Sequence, residues 1–253
     1  VGINYELAGG RFFVEALPVG NERFELPGAE AAHAGGSRRL VIGDSIILFD
    51  GSGWDVKGEI VAVEKRRLVV RPVSREFAGA PLPVPVTCAT ALPKGAREDM
   101  LVSKCAELGM TRLVPVEFER SVVKASVHWS KRRERYRRLA IEAAKQSGAS
   151  TVMELGEPVD FATLARTQTK GLRLIGVPTA TAGVIDAIEK AWPFESMLYA
   201  VGPEGGTTDE EEKQAIEAGF TAVKIARTVL RVETAALSIA AVAAAFLSTR
   251  APK

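Results

Sequence analysis

The chain has 253 residues, 47% of them apolar, and a formal net charge of +2. That apolar content excludes a disordered protein and is enough for one large core or two smaller ones. Two cysteines without CxxC spacing suggest a reducing compartment and no disulfide framework, and two histidines, His33 and His128, exclude a His-rich zinc site.

The N-terminal part, to about residue 75, reads as β-structure. Arg11–Val14 is a short strand. Ser45–Phe49 and Val56–Val63 flank Asp50-Gly51-Ser52-Gly53, a hairpin-turn composition, and Leu68–Arg71 follows the charged turn Lys65-Arg66-Arg67. Short strands at this spacing predict a small barrel. Residues 76–85 include a Gly/Pro-rich stretch from Gly79 to Pro85 and read as a linker.

From residue 86 onward the pattern becomes strand–helix alternation. Strands are expected at Val86–Leu92, Arg112–Val116, Leu172–Val177, Met197–Val201 and Ala222–Ile225. Helices are expected at Arg97–Leu108, Ser130–Ser147, Ala182–Ala191, Thr208–Ala218 and Glu233–Ser248. Gly109, Gly148 and Gly219 stand where a helix C-cap wants positive φ, and Thr208 with Glu211 fits a capping box. Repeated βα units predict an α/β fold, a mostly parallel sheet with helices on both faces. The last helix is Ala-rich and apolar all round, which predicts burial in a core or against another subunit. Its apolar run, Ala235–Leu247, is too short to span a bilayer, and no basic-plus-apolar leader is read at the start. A cytoplasmic protein without membrane or metal attachment is expected.

Two segments carry chemistry. Gly202-Pro203-Glu204-Gly205-Gly206 lies between a strand and a capped helix, where ligands of open α/β sheets bind. No Gly-Lys-Ser/Thr follows, so it is not a P-loop, and Gly-x-Gly-x-x-Gly is absent. The acidic run Asp209–Glu212 would repel a phosphate there, which points to a ligand without one. Val229-Leu230-Arg231-Val232-Glu233-Thr234-Ala235 forms the second loop and helix start. Arg231 can donate to a carboxylate, a phosphate or a base carbonyl, or it can simply pair with Glu233. Lys94 and Arg97 open a helix where cations are unfavourable, which suggests a task elsewhere. The block Lys131–Arg138, with Arg120 and Lys124, is basic enough to meet a phosphate backbone or to be a solvated helix face.

Taken together and in order, these segments resemble the RsmE-type 16S rRNA uridine-N3 methyltransferases of the SPOUT class. The resemblance spans essentially the whole chain: Gly10–Val14, His33, Ile42–Gly51, Lys94, Arg97–Gly109, Glu119–Ser121, Glu142–Ser147, Gly202–Gly206 and Leu230–Ala235. It implies a PUA-like β-barrel at residues 1–75 and a trefoil-knotted SPOUT domain at 86–253. It also implies a homodimer acting on 16S rRNA or the small ribosomal subunit. The implied cofactor is S-adenosylmethionine, held by Val177 and Pro178, by Val201, Gly202, Pro203, Glu204, Gly205 and Gly206, and by Ile225 and Leu230. Arg231 would stabilise the charge developing on the uracil, Glu233 would orient Arg231, and Arg11, Lys94, Arg97, Arg120 and Gln146 would meet RNA. Related readings are a SPOUT enzyme acting on another RNA and a non-catalytic RNA-binding relative. The chain departs from the family at Ala226 and Thr228, which flank Arg227 where a Gly and an Arg are usual, and at Ala149, where Arg is usual.

Overall fold

The computed structural model describes residues 10–20, 22–26, 28, 40–64, 67–167 and 170–250. His33, Lys65 and Arg66 lie outside the described residues. The chain forms two compact units, Val1–Pro81 with Ile141–Val152, and Leu82–Ala140 with Met153–Lys253.

The first unit is built on five strands: β1 Arg11–Phe13, β2 Phe24–Glu25, β3 Ser45–Phe49, β4 Trp54–Glu64 and β5 Arg67–Phe77. They make one curled sheet in the order β1-β3-β4-β5-β2, open between β1 and β2 among the described residues. Alternation along the strands sends Phe12, Ile46, Leu48, Ile60 and Val70, all fully buried, to one shared core. Each such side chain contributes about 1.5–3 kcal/mol by leaving water. The turn between β3 and β4 uses Gly51 and Gly53 at φ 87° and 88°, a conformation that suits glycine. Gly58 marks a register shift in the β4–β5 ladder, and a Cβ there would overlap the side chain of Val70.

The second unit runs β6 Val86–Thr90, α1 Ala96–Glu107, β7 Arg112–Glu117, α2 Trp129–Ser147, β8 Glu154–Leu155, β9 Val159–Asp160, α3 Phe161–Arg166, β10 Leu172–Gly176, α4 Val184–Ala191, β11 Met197–Val201, α5 Asp209–Glu217, β12 Thr221–Val223 and α6 Val232–Ser248. The last turns of α2 belong to the first unit. The sheet order is β12-β10-β11-β6-β7-β8, with β9 also on β7. Every pairing described in it is parallel. Its strands are apolar on both faces; β11 is buried at all five positions. The predicted C-cap glycines 109, 148 and 219 have φ of 79°, 80° and 85°. The Thr208–Glu211 capping box is formed in both directions.

Two features of this unit follow from single charged residues. Arg173 on β10 is buried and donates to the carbonyls of Ala218 at 2.6 Å, Ala165 at 3.0 Å and Leu164 at 3.3 Å. It thereby satisfies the C-terminal ends of α3 and α5, whose last carbonyls lack partners within the helix. Glu98 on α1, 4% exposed, accepts from Tyr136 Oη at 2.6 Å and Arg135 Nη2 at 2.7 Å, fastening α1 to α2. Burial and the Glu98 carboxylate together push the Tyr136 hydroxyl well above its ordinary pKa.

Helix α6 packs on α1, α4, β6 and β11. It is not covered all round, however. Glu233, Ala236, Ile239, Ala240, Ala243 and Leu247 are buried, while Thr234, Ala241, Ala245 and Ser248 are exposed within the single chain. Among the described residues the apolar face is covered, and the exposed face carries small residues, Ala with Thr and Ser.

Candidate functional site

Three neighbouring parallel strands, β12, β10 and β11, end on the same side, and the segment following each enters one cleft. Counted to its open mouth, the cleft has a volume of about 620 Å³. After β10 come Val177 and Pro178. After β11 come Gly202, Pro203, Glu204, Gly206 and Thr207. After β12 come Ile225, Ala226, Thr228, Val229 and Leu230, then Val232 and Ala235 from the start of α6. The carboxyl ends of parallel strands are where backbone groups are free to meet a ligand.

Nine of the ten residues expected around a cofactor therefore line this cleft: Val177, Pro178, Val201, Gly202, Pro203, Glu204, Gly206, Ile225 and Leu230. The exception is Gly205, which faces Arg120; a Cβ on it would lie 3.3 Å from Arg120 Cβ. The glycines have distinct steric reasons. At Gly202 a Cβ would come within 2.9 Å of Thr207 Cγ2, and at Gly176 within 3.0 Å of Ile225 Cδ1. Gly206 has open space around it but sits at φ 73°.

The lining itself carries little charge. No Lys or Arg is among the lining residues, and Glu204 is the charged group among them. The acidic first turn of α5, Asp209 to Glu212, follows directly. Glu204 is itself met by Arg97 at 3.8 Å, so the lining offers a polyanion no cation and carries little net charge of its own.

The Gly-rich loop is tied down from β7's end. Arg120 Nη1 donates to the carbonyls of Gly205 at 3.1 Å and Thr207 at 3.2 Å. Glu211, 8% exposed, accepts from Glu119 N at 2.8 Å and from Thr208 N at 2.9 Å. Its carboxylate therefore caps α5 and holds the 118–121 turn at the same time.

Arg231 is the N-cap of α6, with Leu230 and Val232 of the cleft on either side. Its side chain is exposed and in no ion pair among the described residues. The expected Arg231–Glu233 pair is not formed. Glu233 is 3% exposed and lies beside Arg97, with Nη1 to Oε1 at 3.5 Å; its Oε2 is buried without a hydrogen-bond partner. Helix rotation explains this: two residues apart, the cap side chain and the second helical residue point about 200° from each other, so Arg231 faces outward while Glu233 faces α1.

The expected RNA-contacting residues fall in two groups. Arg11 and Gln146 belong to the first unit. Arg11 is largely committed, donating to Asp55 twice at 2.9 Å, to Ser150 Oγ at 3.0 Å and to Ala149 O at 3.1 Å. Gln146 is exposed. In the second unit Lys94 is exposed, while Arg97 and Arg120 are turned to the loops just described. Much of the basic run on α2 is also engaged: Arg132 lies 3.5 Å and Arg135 2.7 Å from Glu98, and Arg133 is 3.3 Å from Glu157. Lys131 and Arg138 face solvent.

Ala226, a departure from the family pattern, lines the cleft without requiring glycine. His128 is the one non-glycine residue at positive φ among those described.

Comparison with known proteins agrees with this geometry. The RNA methyltransferase domain matches residues 80–244, and the RNA methyltransferase PUA domain matches residues 26–73. The chain is 28% identical over 240 residues to the ribosomal RNA small subunit methyltransferase E of Bacillus subtilis, covering 90% of this chain and 93% of that protein. It is 33% identical over 202 residues to the protein of the same name from Synechocystis, covering 78% and 64%. Among solved structures, the ribosomal RNA small subunit methyltransferase E from Neisseria gonorrhoeae, bound to S-adenosylmethionine, superposes with a TM-score of 0.82 at 29% identity, covering 92% of this chain and 95% of that one. A methyltransferase from Legionella pneumophila with bound S-adenosylmethionine gives 0.82 at 28% identity, covering 93% and 97%. By fold and by matches that take in both units, the chain belongs to the RNA methyltransferase family that includes the ribosomal RNA small subunit methyltransferase E proteins.

Proposed function

We propose that this protein uses S-adenosylmethionine to methylate N3 of a uridine in 16S rRNA of the small ribosomal subunit, in the cytoplasm. The observation that carries the reading is the cleft at the ends of β10, β11 and β12. Its lining has no cation and one carboxylate, and it offers backbone groups from three loops. Those residues fit the cofactor. Ile225, Leu230 and Val177 would cover an adenine ring. The backbone around Gly202 and Gly206 would read its edge.

When bound, S-adenosylmethionine supplies an electrophilic methyl group on a sulfonium, so no metal is needed. The chain's own work is alignment and charge stabilisation. Arg231 stands next to two cleft residues with an uncommitted guanidinium. It would donate to O2 or O4 of the uracil as negative charge spreads there while the N3 proton passes to water; the N3–methyl bond would form as the methyl–sulfur bond breaks, its electron pair staying on the sulfur of S-adenosylhomocysteine. Glu233, buried against Arg97, would act through its arginine neighbour and not on N3 itself. Because N3 is on the pairing edge, the uridine must be unpaired or flipped out. Exposed cations such as Lys94, Lys131 and Arg138 would hold the flanking backbone.

We further infer a homodimer. Its support is the uncovered stripe of α6: Thr234, Ser238, Ala241, Ala245 and Ser248 recur on one helical face, and their small side chains would let a second copy approach closely. A trefoil knot in the second unit belongs to the same reading.

The test is mass spectrometry of 16S rRNA from a strain lacking this protein, with and without its return. Loss of 3-methyluridine in the deletion and its restoration on return are expected. Normal 3-methyluridine without the protein would exclude this substrate.

A further inference from the structure

We propose that Arg97 is a positioning residue for the cofactor cleft and not an RNA contact, acting as a bridge between the Gly-rich loop and the start of α6. The inference rests on the methyltransferase reading above.

Arg97 is the second residue of α1, where a cation opposes the helix's own dipole. Its surroundings account for it. Nη1 lies 3.5 Å from Glu233 Oε1 and 3.8 Å from Glu204 Oε1, and Nε is 3.4 Å from the carbonyl of Lys94. One guanidinium thus faces carboxylates from two cleft-forming segments that are far apart in sequence. Glu204 lines the cleft; Glu233 lies between the cleft residues Val232 and Ala235. The side chain is one-third exposed. Arg97 is also the cation paired with Glu233 among the described residues, and that carboxylate still has one oxygen unpartnered. One nitrogen, Nη1, faces both carboxylates at ion-pair distance, so its charge draws the two segments together, and a lysine ammonium there would keep part of that attraction. In this way the 202–206 loop and the Leu230–Arg231 segment are held at a set spacing around the ligand.

The full-length protein, Arg97→Lys, Arg97→Ala, Glu204→Gln and the Arg97→Ala/Glu204→Gln double variant are titrated with S-adenosylmethionine by calorimetry. Each is also titrated with a 16S rRNA fragment over a range of salt. The bridge predicts about tenfold weaker cofactor binding for Arg97→Ala, partial rescue by Arg97→Lys, and a double variant little worse than Arg97→Ala alone. RNA affinity and its salt slope stay as in the parent. KM for the cofactor rises more than kcat falls. Unchanged cofactor affinity in Arg97→Ala overturns the bridge. So does weaker RNA binding with a salt slope reduced by about one, the mark of a lost phosphate contact. Arg97→Lys retains the charge beside Glu233 and reports the effect even if Arg97→Ala folds poorly. Failure of the parent protein itself to bind S-adenosylmethionine would overturn the methyltransferase reading, and this inference with it.

Discussion

Two acidic residues and one arginine show how neighbours assign a charge its task. Glu98 and Glu233 both sit in the first turn of a helix, where an acid needs no further explanation. Yet both are buried, and each is met by arginine: Glu98 by Arg132 and Arg135, Glu233 by Arg97. Removing one partner of a buried pair leaves the other charge desolvated, while Arg135's partial exposure lessens the effect. Glu98→Ala, which also orphans the Tyr136 hydroxyl, should therefore lower stability by about 2 kcal/mol in urea unfolding. Arg231 is the opposite case: exposed, at a helix cap, without a described ion pair. Arg231→Ala should leave the melting temperature nearly unchanged and cofactor affinity within about threefold. It should reduce single-turnover methylation by about a hundredfold, as expected for loss of a donor to developing charge. Turnover equal to the parent's would remove Arg231 from the chemistry.

The larger elements were legible in the sequence because their patterns are strong. Met197–Val201 is apolar at every position and is the fully buried β11; Thr208 and Glu211 form the predicted capping box. Strands β2, β8 and β9 have two residues each, and α3 has six, too short for any periodicity. The loops of the cleft were legible through their glycines and their place after strands. What they are tied to was not, since those contacts join residues distant in sequence. Nothing local marks Arg120 as a donor to Gly205, or Glu211 as an acceptor from Glu119. That last contact separates two variants. Thr208→Ala removes one cap acceptor and should cost about 1 kcal/mol with little change in cofactor affinity. Glu211→Ala also releases the 118–121 turn and, through Arg120, the carbonyls of Gly205 and Thr207. It should lower the melting temperature further and weaken S-adenosylmethionine binding severalfold in calorimetry. Equal effects of the two variants would mean that the turn does not steady the loop.

At the scale of the molecule, the sequence of α6 poses a question the single chain leaves half answered. A helix apolar on every face is expected to be covered on every face. Here α1, α4, β6 and β11 cover one side, through Ala236, Ile239, Ala240, Ala243 and Leu247. Opposite them, Thr234, Ser238, Ala241, Ala245 and Ser248 follow the three-and-four spacing of a packed helix seam. A second copy is the occupant that the family resemblance suggests. The segment bearing the stripe begins at Arg231, so pairing there would also steady the residue proposed to act on the uracil. Ala241→Arg places a long cation at the centre of the stripe while leaving the inward face untouched. Sedimentation velocity should show a dimer for the parent protein and a monomer for Ala241→Arg, with far-ultraviolet circular dichroism unchanged. Methylation should fall together with dimerisation across a protein dilution series. A parent protein that sediments as a monomer at all concentrations would reject the dimer, and an Ala241→Arg dimer would move the interface away from α6.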